Sequence, residues 1–446
     1  MKCFLRYLML VVIVSFATMT VAQTTKWRDM YKVKKKDTIF GIAKKYNISI
    51  PELMDANPEM KVEGYELKKG DYIFIPFEKP KEEAKSVLPQ PADDVKGRAI
   101  RVGIMLPLHD VDGDGRRMVE YYRGVLMACD SLKARGISTD VHAWNVPIDA
   151  DIRQTLLAEG ANKCDIIFGP LYTTQVKALG DFCTSYNIKM VIPFSINGDE
   201  VTRNPQIFQV YQSPDRQNNE AIELFKKRFV GYHPVFIDCN DSLSQKGVFT
   251  SALRNQLDAQ GVKYNITNLN SPEANFSKAF SRTQPNVVIL NTQRSPQLNI
   301  AIEKINGVVA NAPAVKVSLF GYTQWFLYTK NQLENFFKYD TYIPTVFYYN
   351  PLSRETRQFE DSYRRWFKTD MQYALPRFAI TGYDQAQFFI RGIYKYGKAF
   401  TGAREQNDYK PLQTPLNFKR IGNGGMQNCH FMLINYTPQH NINSIQ

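Results

Sequence analysis

Short apolar runs alternate with amphipathic segments along residues 100–200 of this chain. The runs IRVGIMLPL (100–108), DIIF (165–168) and MVIP (190–193) are mostly apolar, as strands buried on both faces are. Between them, residues 118–132 and 173–186 repeat apolar positions at helical spacing. Such alternation produces right-handed βαβ units. The pattern therefore predicts an α/β fold with parallel sheets flanked by helices.

A second alternation of the same plan begins at residue 235. The predicted strands lie at 235–238, 264–267, 286–290 and 315–320. The predicted helices lie at 247–259 and 296–305. Helices near 356–367 and 384–400 follow, and residues 415–438 are predicted to form short strands with a turn at Gly422–Gly425. The chain thus predicts two α/β layers and C-terminal elements that return to one or both of them.

A smaller module precedes these layers. Residues 31–77 give the order strand, helix, helix, strand, with Asp37-Thr38 as a helix N-cap signal and Tyr72–Ile75 as an alternating strand. Residues 78–98 contain three prolines, many charges and no periodicity. We interpret them as a linker between the two parts of the chain.

The N-terminus has the three parts of a secretory signal peptide. Lys2 and Arg6 precede the apolar run Leu8–Phe16, and small residues follow up to Ala22. The apolar run is well short of the roughly 20 residues that a spanning helix needs. Residues 1–22 are therefore predicted to be removed, and the product to be exported and soluble, without a membrane span.

Export narrows the meaning of the charge and the cysteines. The 446 residues carry a net charge of +13, which in an exported protein favours anionic wall polymers over nucleic acid. Of the six cysteines, none has the spacing of a metal site. Cys3 lies in the predicted signal peptide, and the other five are predicted to be buried free thiols, with a Cys164–Cys183 disulfide as the alternative.

Signals of catalysis and cofactors are weak. Asp110, Asp112 and Asp114 repeat the first half of a calcium loop, but Tyr121 stands where its last ligand, a Glu, belongs. No nucleophile–base motif and no phosphate loop occurs. The sequence predicts a protein that is not an enzyme and has no cofactor or bound metal.

The small module resembles the LysM domain. The residues that carry the resemblance are Tyr31, Val33, Asp37, Thr38, Ile39, Ile42, Ala43, Tyr46, Asn57, Leu67, Gly70, Ile73, Ile75 and Pro76. The resemblance implies a βααβ domain over 31–77 that binds N-acetylglucosamine glycans, mainly peptidoglycan. The groove would lie between the loop at 37–40 and the connection at 57–67. It implies that Asp37, Thr38, Ile39 and Asn57 contact the glycan.

The larger part resembles the type I periplasmic-binding-protein fold of branched-chain amino acid receptors. The resemblance spans residues 99–440 and rests on segments at 100–108, 121–136, 164–176, 190–195, 207–217 and 382–389. It implies two lobes joined by three chain crossings, with a ligand cleft between them. We place lobe one at about 99–215 and 345–405, and lobe two at about 216–344 and 406–440.

The resemblance also implies which residues line the cleft. Ligands bind where parallel strands end, and two such ends lie at residues 169–174 and 194–197. Carried over to this sequence, the ligand-binding residues are Tyr172, Thr173, Thr174, Phe194, Ser195 and Ile196, with Tyr322 from lobe two. The receptors' acidic residue in lobe two aligns with 320–322, where no carboxylate occurs.

These observations leave three functions open. The first is an exported, periplasmic or wall-associated peptidoglycan-binding protein whose cleft holds a small ligand, such as an amino acid or a wall fragment. The second is a regulator or scaffold that docks to a peptidoglycan synthase or another envelope enzyme. The third is an accessory wall hydrolase, since LysM domains often accompany one.

Overall fold

The structure separates into two compact units. The computed structural model describes residues 28–35, 37–46, 48–62, 65–76, 95, 97–194 and 198–445. One unit lies within Met1–Val87 and the other within Leu88–Gln446. The predicted signal peptide (1–22) and most of the predicted linker (78–98) lie outside the described residues. No helix in the described part of the chain is both long and apolar enough to span a bilayer.

The N-terminal unit is a two-stranded sheet covered by two short helices. Strand β1 (Asp29–Lys32) pairs antiparallel with β2 (Tyr72–Ile75), and helices α1 (Ile39–Lys45) and α2 (Ile50–Ala56) lie between them in the chain. Ser49 and Glu52 form a capping box that begins α2. The buried apolar core includes Val33, Ile42, Leu53, Ile73 and Ile75. The predicted order of strand, helix, helix and strand is present.

The C-terminal unit contains two sheets of mixed but mainly parallel strands. The first sheet has the order β13-β14-β7-β6-β5-β3-β4 and defines lobe one. Its strands are β3 (Ile100–Leu106), β4 (Thr139–Asn145), β5 (Ile166–Phe168), β6 (Lys189–Ile192), β7 (Ile207–Gln209), β13 (Phe418–Arg420) and β14 (Met426–Asn428). Only the β13–β14 pair is antiparallel.

The second sheet defines lobe two and has the order β16-β15-β12-β11-β10-β8-β9. Its strands are β8 (His233–Asp238), β9 (Asn265–Asn268), β10 (Asn286–Leu290), β11 (Val317–Phe320), β12 (Thr341–Thr345), β15 (Met432–Tyr436) and β16 (Ile442–Ile445). The five strands from β8 to β12 are parallel, and β15 and β16 complete one edge in antiparallel fashion. The α/β class predicted from the apolar runs is confirmed.

Helices cover both sheets. They are α3 (Gly113–Lys133), α4 (Ile152–Leu156), α5 (Thr173–Tyr186), α6 (Pro214–Arg228), α7 (Gly247–Ala259), α8 (Glu273–Ser277), α9 (Ser295–Asn311), α10 (Thr329–Lys338), α11 (Arg354–Phe367) and α12 (Phe378–Tyr396). In lobe one, α3 and α12 bury one face of the sheet, and α4 and α5 bury the other. The apolar strands of this sheet are thus covered on both sides.

The chain crosses between the lobes three times. It leaves lobe one after β7, returns after β12, and leaves again between β14 and β15. The sequence predicts that residues 406–440 belong to lobe two, but the strands within 418–428 join the sheet of lobe one. Met426 pairs in parallel with Phe208 of β7, so β14 extends the sheet of lobe one and carries β13 with it.

Helices α3 and α12 meet backbone to backbone. A Cβ atom added at Gly124 would lie 1.8 Å from the carbonyl oxygen of Ala379, and one at Gly382 would lie 2.1 Å from that of Tyr121. Both distances are far below van der Waals contact. The two glycines therefore allow an approach that no other residue permits.

A buried carboxylate holds the C-terminal part of lobe one against α12. Asp384 accepts hydrogen bonds from the Tyr409 hydroxyl and from the backbone N–H groups of residues 412–414, at 2.7–2.8 Å. Burial raises the pKa of Asp384 to about 6, although these hydrogen bonds act in the opposite direction. Asp384 thus fixes the segment that leads to β13.

The cysteines in the described residues are free thiols. Cys129, Cys164, Cys183 and Cys239 are buried, and Cys429 is partly exposed. The alternative of a Cys164–Cys183 disulfide is not present in this structure. Burial raises the pKa of Cys164 to about 12, so its thiol is protonated and unreactive at neutral pH.

Candidate functional site

The loop between β1 and α1 is held by Asp37. Its carboxylate accepts hydrogen bonds from the backbone N–H of Lys34 at 2.7 Å and from the Tyr31 hydroxyl at 2.8 Å. Both hydrogen bonds lower the pKa of Asp37 below its ordinary value, and the bond from Lys34 has the larger effect. Asp37 therefore shapes this loop and does not cap the helix.

The cap belongs to Thr38. Its hydroxyl accepts a hydrogen bond from the Gly41 N–H at 3.0 Å, and Ile39 is the first helical residue and packs against the core. Sequence reasoning overlooked Phe40, whose side chain is 63% exposed beside this loop. An exposed aromatic ring can stack on the face of a sugar. The sequence feature that could have indicated Phe40 is a large apolar residue at a helix position that faces away from the core.

Asn57 was expected to contact glycan, and the structure contradicts this. Its side chain is fully buried. Its Nδ2 donates to the carbonyl oxygens of Leu53 and Phe74, both at 2.8 Å, and its Oδ1 accepts from the Phe74 N–H at 2.8 Å. The amide has no group left for a ligand, because it ties the end of α2 to β2.

The carboxyl edges of the two sheets in the C-terminal unit face each other. The chain passes from the carboxyl end of β7 into lobe two and from the carboxyl end of β12 back into lobe one. Each sheet therefore presents the end at which parallel strands terminate to the other lobe. This is the position where ligands bind in open α/β sheets.

On the lobe-one edge, the start of α5 is open. Thr173 and Thr174 are exposed in its first turn, and Tyr172 is at the N-cap position. Within the part of the chain that the structure describes, no side chain caps the helix. The first N–H groups of a helix have no partner within it, so this end of the 14-residue helix α5 suits an anion. Thr173 is the first helical residue, and Tyr172 precedes it at the N-cap position.

Tyr172 connects this helix start to α3. Its hydroxyl donates to Asp114 Oδ2 at 3.3 Å, and burial, with the nearby Asp114 carboxylate, raises the pKa of Tyr172 to about 12. Asp114 in turn pairs with Arg117 at 3.2 Å. At this edge, the Asp114 carboxylate thus contacts both the Tyr172 phenol and the Arg117 guanidinium.

Phe194 lies beneath the edge and is partly buried. Its ring lies 5.5 Å from those of Tyr121 and Phe378 and 6.1 Å from that of Tyr211, between ring centroids. Phe194 therefore packs against neighbouring rings and offers little exposed surface to a ligand. Ser195 and Ile196, also expected to bind ligand, lie outside the described residues. Gly198, just beyond them, comes close to the Thr173 side chain.

The acidic residues before α3 serve the helix. Asp112 caps α3 by accepting from the Gly115 N–H at 2.7 Å, and Asp110 lies 3.8 Å from Arg116. Among the described residues, no group of three or more His, Cys, Asp or Glu side chains could hold a metal ion. Asp112 thus has a structural role as the N-cap of α3.

On the lobe-two edge, Tyr322 is not available to a ligand. It is buried in the core of lobe two, its hydroxyl donates to the Leu290 carbonyl, and the Lys246 ammonium lies 4.9 Å from its ring centroid. The expectation that Tyr322 lines the cleft is corrected accordingly. Burial lowers the pKa of Lys246.

The same edge has a carboxylate that sequence reasoning missed. Asp241 follows β8, and its side chain is 3% exposed. It accepts hydrogen bonds from the Thr292 hydroxyl at 2.7 Å and from Arg294 at 3.1 Å. The run DCNDS after an apolar strand was the signal, but only the fold brings it next to the end of β10. Its charge is already compensated within the protein.

Comparison with known proteins agrees with this architecture. Residues 31–76 match the family described as LysM domain. Residues 31–76 are therefore a LysM domain, a peptidoglycan-binding module. No curated protein matches the chain.

Solved structures resemble the C-terminal unit. A protein described as a branched-chain amino acid ABC transporter from Rhodospirillum rubrum has a TM-score of 0.53 and 14% identity, over 78% of this chain and 100% of that one. A periplasmic ligand-binding protein for branched-chain amino acids from Burkholderia xenovorans has a TM-score of 0.47 and 12% identity, over 78% and 94%. The substrate-binding protein from Streptococcus pneumoniae, solved with isoleucine, has a TM-score of 0.41 and 14% identity, over 78% and 99%. The first of these shows that the fold is that of the type I periplasmic binding proteins.

Proposed function

We propose that this chain is an exported, non-enzymatic protein that holds peptidoglycan through its LysM domain and a small ligand between the lobes of its C-terminal unit. The observation that carries the ligand-binding part is the open start of α5, where Thr173 and Thr174 are exposed at the carboxyl edge of lobe one. A helix start of this kind attracts a carboxylate or another anion.

The ligand that we propose is a small carboxylate, such as an amino acid or a wall fragment. On the opposite edge, Asp241 is paired with Arg294 and Thr292, and Tyr322 is buried. A ligand ammonium would therefore meet no free carboxylate at these two positions. This favours a wall fragment, whose carboxylate can bind at α5, over a free amino acid held at both ends.

Two experiments test the proposal. The first measures retention of the protein on purified sacculi, with a variant that lacks residues 31–77 as the control. We expect retention that the deletion abolishes, and equal retention of both proteins would contradict the glycan-binding part. The second is a thermal-shift screen of amino acids and soluble muropeptides. We expect stabilisation by a carboxylate ligand, since a ligand that binds only the folded state raises the melting temperature.

Docking to a peptidoglycan synthase or another envelope enzyme is the alternative function. The observation that favours it is again the lobe-two edge, where the carboxylate is compensated and the tyrosine is part of the core. Crosslinking in cells separates the two functions. Capture of one wall enzyme, together with no ligand in the thermal-shift screen, would replace the small-ligand proposal with this one.

A further inference from the structure

A cavity of about 300 Å³ lies between the lobes, apart from the site proposed above. From lobe two it is lined by the segment Phe326–Leu333 and by Tyr436. It is also lined by residues 348–352, which follow the crossing after β12, and by residues 373–377, which precede α12. None of Tyr172, Thr173, Thr174 and Phe194 belongs to it. Its volume is at the lower end of the range for small-molecule sites.

Contacts between the lobes bound this cavity. The rings of Phe326 and Tyr348 lie 5.2 Å apart between centroids, and the Tyr373 hydroxyl lies 3.4 Å from the carbonyl oxygen of Leu327. Tyr373 and Leu352 are largely exposed at its rim. The cavity is thus open to solvent on one side and built from both lobes.

The charged groups that line the cavity are both cations. Lys330 is exposed in the first turn of α10, and Arg377 precedes α12. Among the described residues, no Asp or Glu side chain lines the cavity. The guanidinium of Arg377 lies between two aromatic rings, 4.8 Å from the centroid of Tyr349 and 4.9 Å from that of Tyr373. Its Nε is buried and has no hydrogen-bond partner among the described residues.

We propose that this cavity binds a small amphipathic anion, with an apolar or aromatic body among the tyrosine, phenylalanine and leucine side chains and its negative group toward Lys330. The apolar lining favours such a body because its burial removes apolar surface from water. The two cations favour a negative end because no Asp or Glu is among the described lining residues. The buried Glu120 carboxylate also interacts with the Arg377 charge, so Lys330 is the cation left for the ligand's negative group. A ligand in this position contacts both lobes at once.

Fluorescent probes test the proposal on the full-length protein. Anilinonaphthalene sulfonate is an apolar anion, and phenylnaphthylamine is the same aromatic body without the sulfonate. We expect one equivalent of the sulfonate to bind, about fivefold more tightly than the neutral probe. Equal affinities for the two probes would overturn the proposal.

Variants locate the probe. Ala374→Trp fills the cavity and is expected to abolish binding of both probes. Lys330→Gln is expected to lower the affinity for the sulfonate probe about fivefold and to leave the affinity for the neutral probe unchanged. Lys338→Gln is the matched control, since Lys338 lies on the same helix but outside the cavity lining and bonds to Asn306. Binding that survives Ala374→Trp would place the probe elsewhere and overturn the proposal.

Arg377→Gln is also expected to lower the affinity for the sulfonate probe and not that for the neutral probe. If the Arg377→Gln protein folds poorly, the affinities measured with Lys330→Gln test the proposal. Arg377 also donates to the Gln372 carbonyl, so its loss disturbs the loop before α12. Thr173→Pro, which alters the site proposed in the preceding section, is expected to leave probe binding unchanged. The failure of one proposal is thereby distinguished from the failure of the other.

Discussion

Asn57 engages both backbone hydrogen-bonding groups of Phe74. Its Oδ1 accepts from the Phe74 N–H and its Nδ2 donates to the Phe74 carbonyl oxygen, each at 2.8 Å. The same Nδ2 also reaches the Leu53 carbonyl at the end of α2. A single buried amide therefore joins the second helix of the LysM domain to its second strand.

Asn57→Ala is expected to lower the free energy of unfolding of the LysM domain by about 3 kcal/mol. The substitution removes the side-chain partner of the buried Leu53 carbonyl and of the partly buried N–H and carbonyl of Phe74. Each buried group without a partner costs about 1–3 kcal/mol. Hydrogen exchange of the Phe74 N–H in the full-length protein measures the effect. Lys61→Ala is the control, because the exposed Lys61–Asp55 pair contributes less than about 1 kcal/mol. Equal protection of Phe74 in wild type and Asn57→Ala would refute the prediction.

Thr173→Pro and Thr173→Ala separate the two groups that Thr173 offers to a ligand. Proline at the first helical position removes one N–H and preserves the helix, and the extended conformation of Tyr172 is compatible with a following proline. We expect Thr173→Pro to weaken the binding of an anionic ligand by roughly tenfold or more. This is the loss in affinity expected when one hydrogen bond to a charged group is removed. Thr173→Ala keeps the N–H and is expected to weaken it less.

Isothermal calorimetry with the carboxylate found in the thermal-shift screen makes this comparison. Circular dichroism of both variants controls for the loss of helix α5. Identical affinities for wild type and Thr173→Pro would show that the helix start does not hold the ligand.

Asp384 predicts a specific dependence of stability on pH. Its pKa in the folded protein is about 6 and that of a free aspartate is about 3.9, so the folded state binds the proton more tightly. The stabilisation by this group is therefore fully present below pH 4 and is lost as the pH rises through 6. The shift of about two units corresponds to about 3 kcal/mol.

Urea unfolding of wild type and Asp384→Asn at several pH values between 4 and 7.5 measures this dependence. The asparagine does not titrate, so the difference in stability between the two proteins is expected to change by up to about 3 kcal/mol over that range. Other titrating groups cancel in the difference. Parallel curves for the two proteins would contradict the raised pKa.

Gly382→Ala is expected to destabilise lobe one by about 3 kcal/mol. The added methyl group meets the Tyr121 carbonyl oxygen at 2.1 Å and forces α3 and α12 apart. The matched control is Gly307→Ala in the interior of α9, where no atom lies within 4 Å of the added Cβ. That variant is expected to be neutral or to gain up to about 1 kcal/mol. Thermal unfolding of both variants tests the contrast, and equal melting temperatures would disprove it.

The sequence predicted the α/β class because buried parallel strands are apolar over their whole length. The lobe of residues 418–428 was not predictable in the same way. The sequence of a three-residue strand such as β14 can indicate a strand, but it does not indicate which sheet that strand joins. That choice depends on the contact of Met426 with Phe208, which are far apart in the chain. Strand pairing over such separations leaves no local pattern.

The site was harder to predict than the fold, for a related reason. Asn57 and Tyr322 are polar or aromatic residues at positions where the resembled families have binding residues, but here their polar atoms bond to backbone carbonyls in the interior. The sequence predicts a helix near 384–400, whereas α12 begins at Phe378, so Asp384 lies in its interior. Only the three-dimensional partners of a polar side chain distinguish these roles.

The three crossings between the lobes have a consequence for how such proteins evolve. Each lobe is assembled from separate stretches of the chain, so exchanging one lobe by recombination would need several simultaneous breakpoints. The LysM domain, in contrast, occupies one continuous stretch and can be gained or lost at a single junction. The two-lobed unit is therefore expected to be inherited as an indivisible block, while the wall-binding module varies among its descendants.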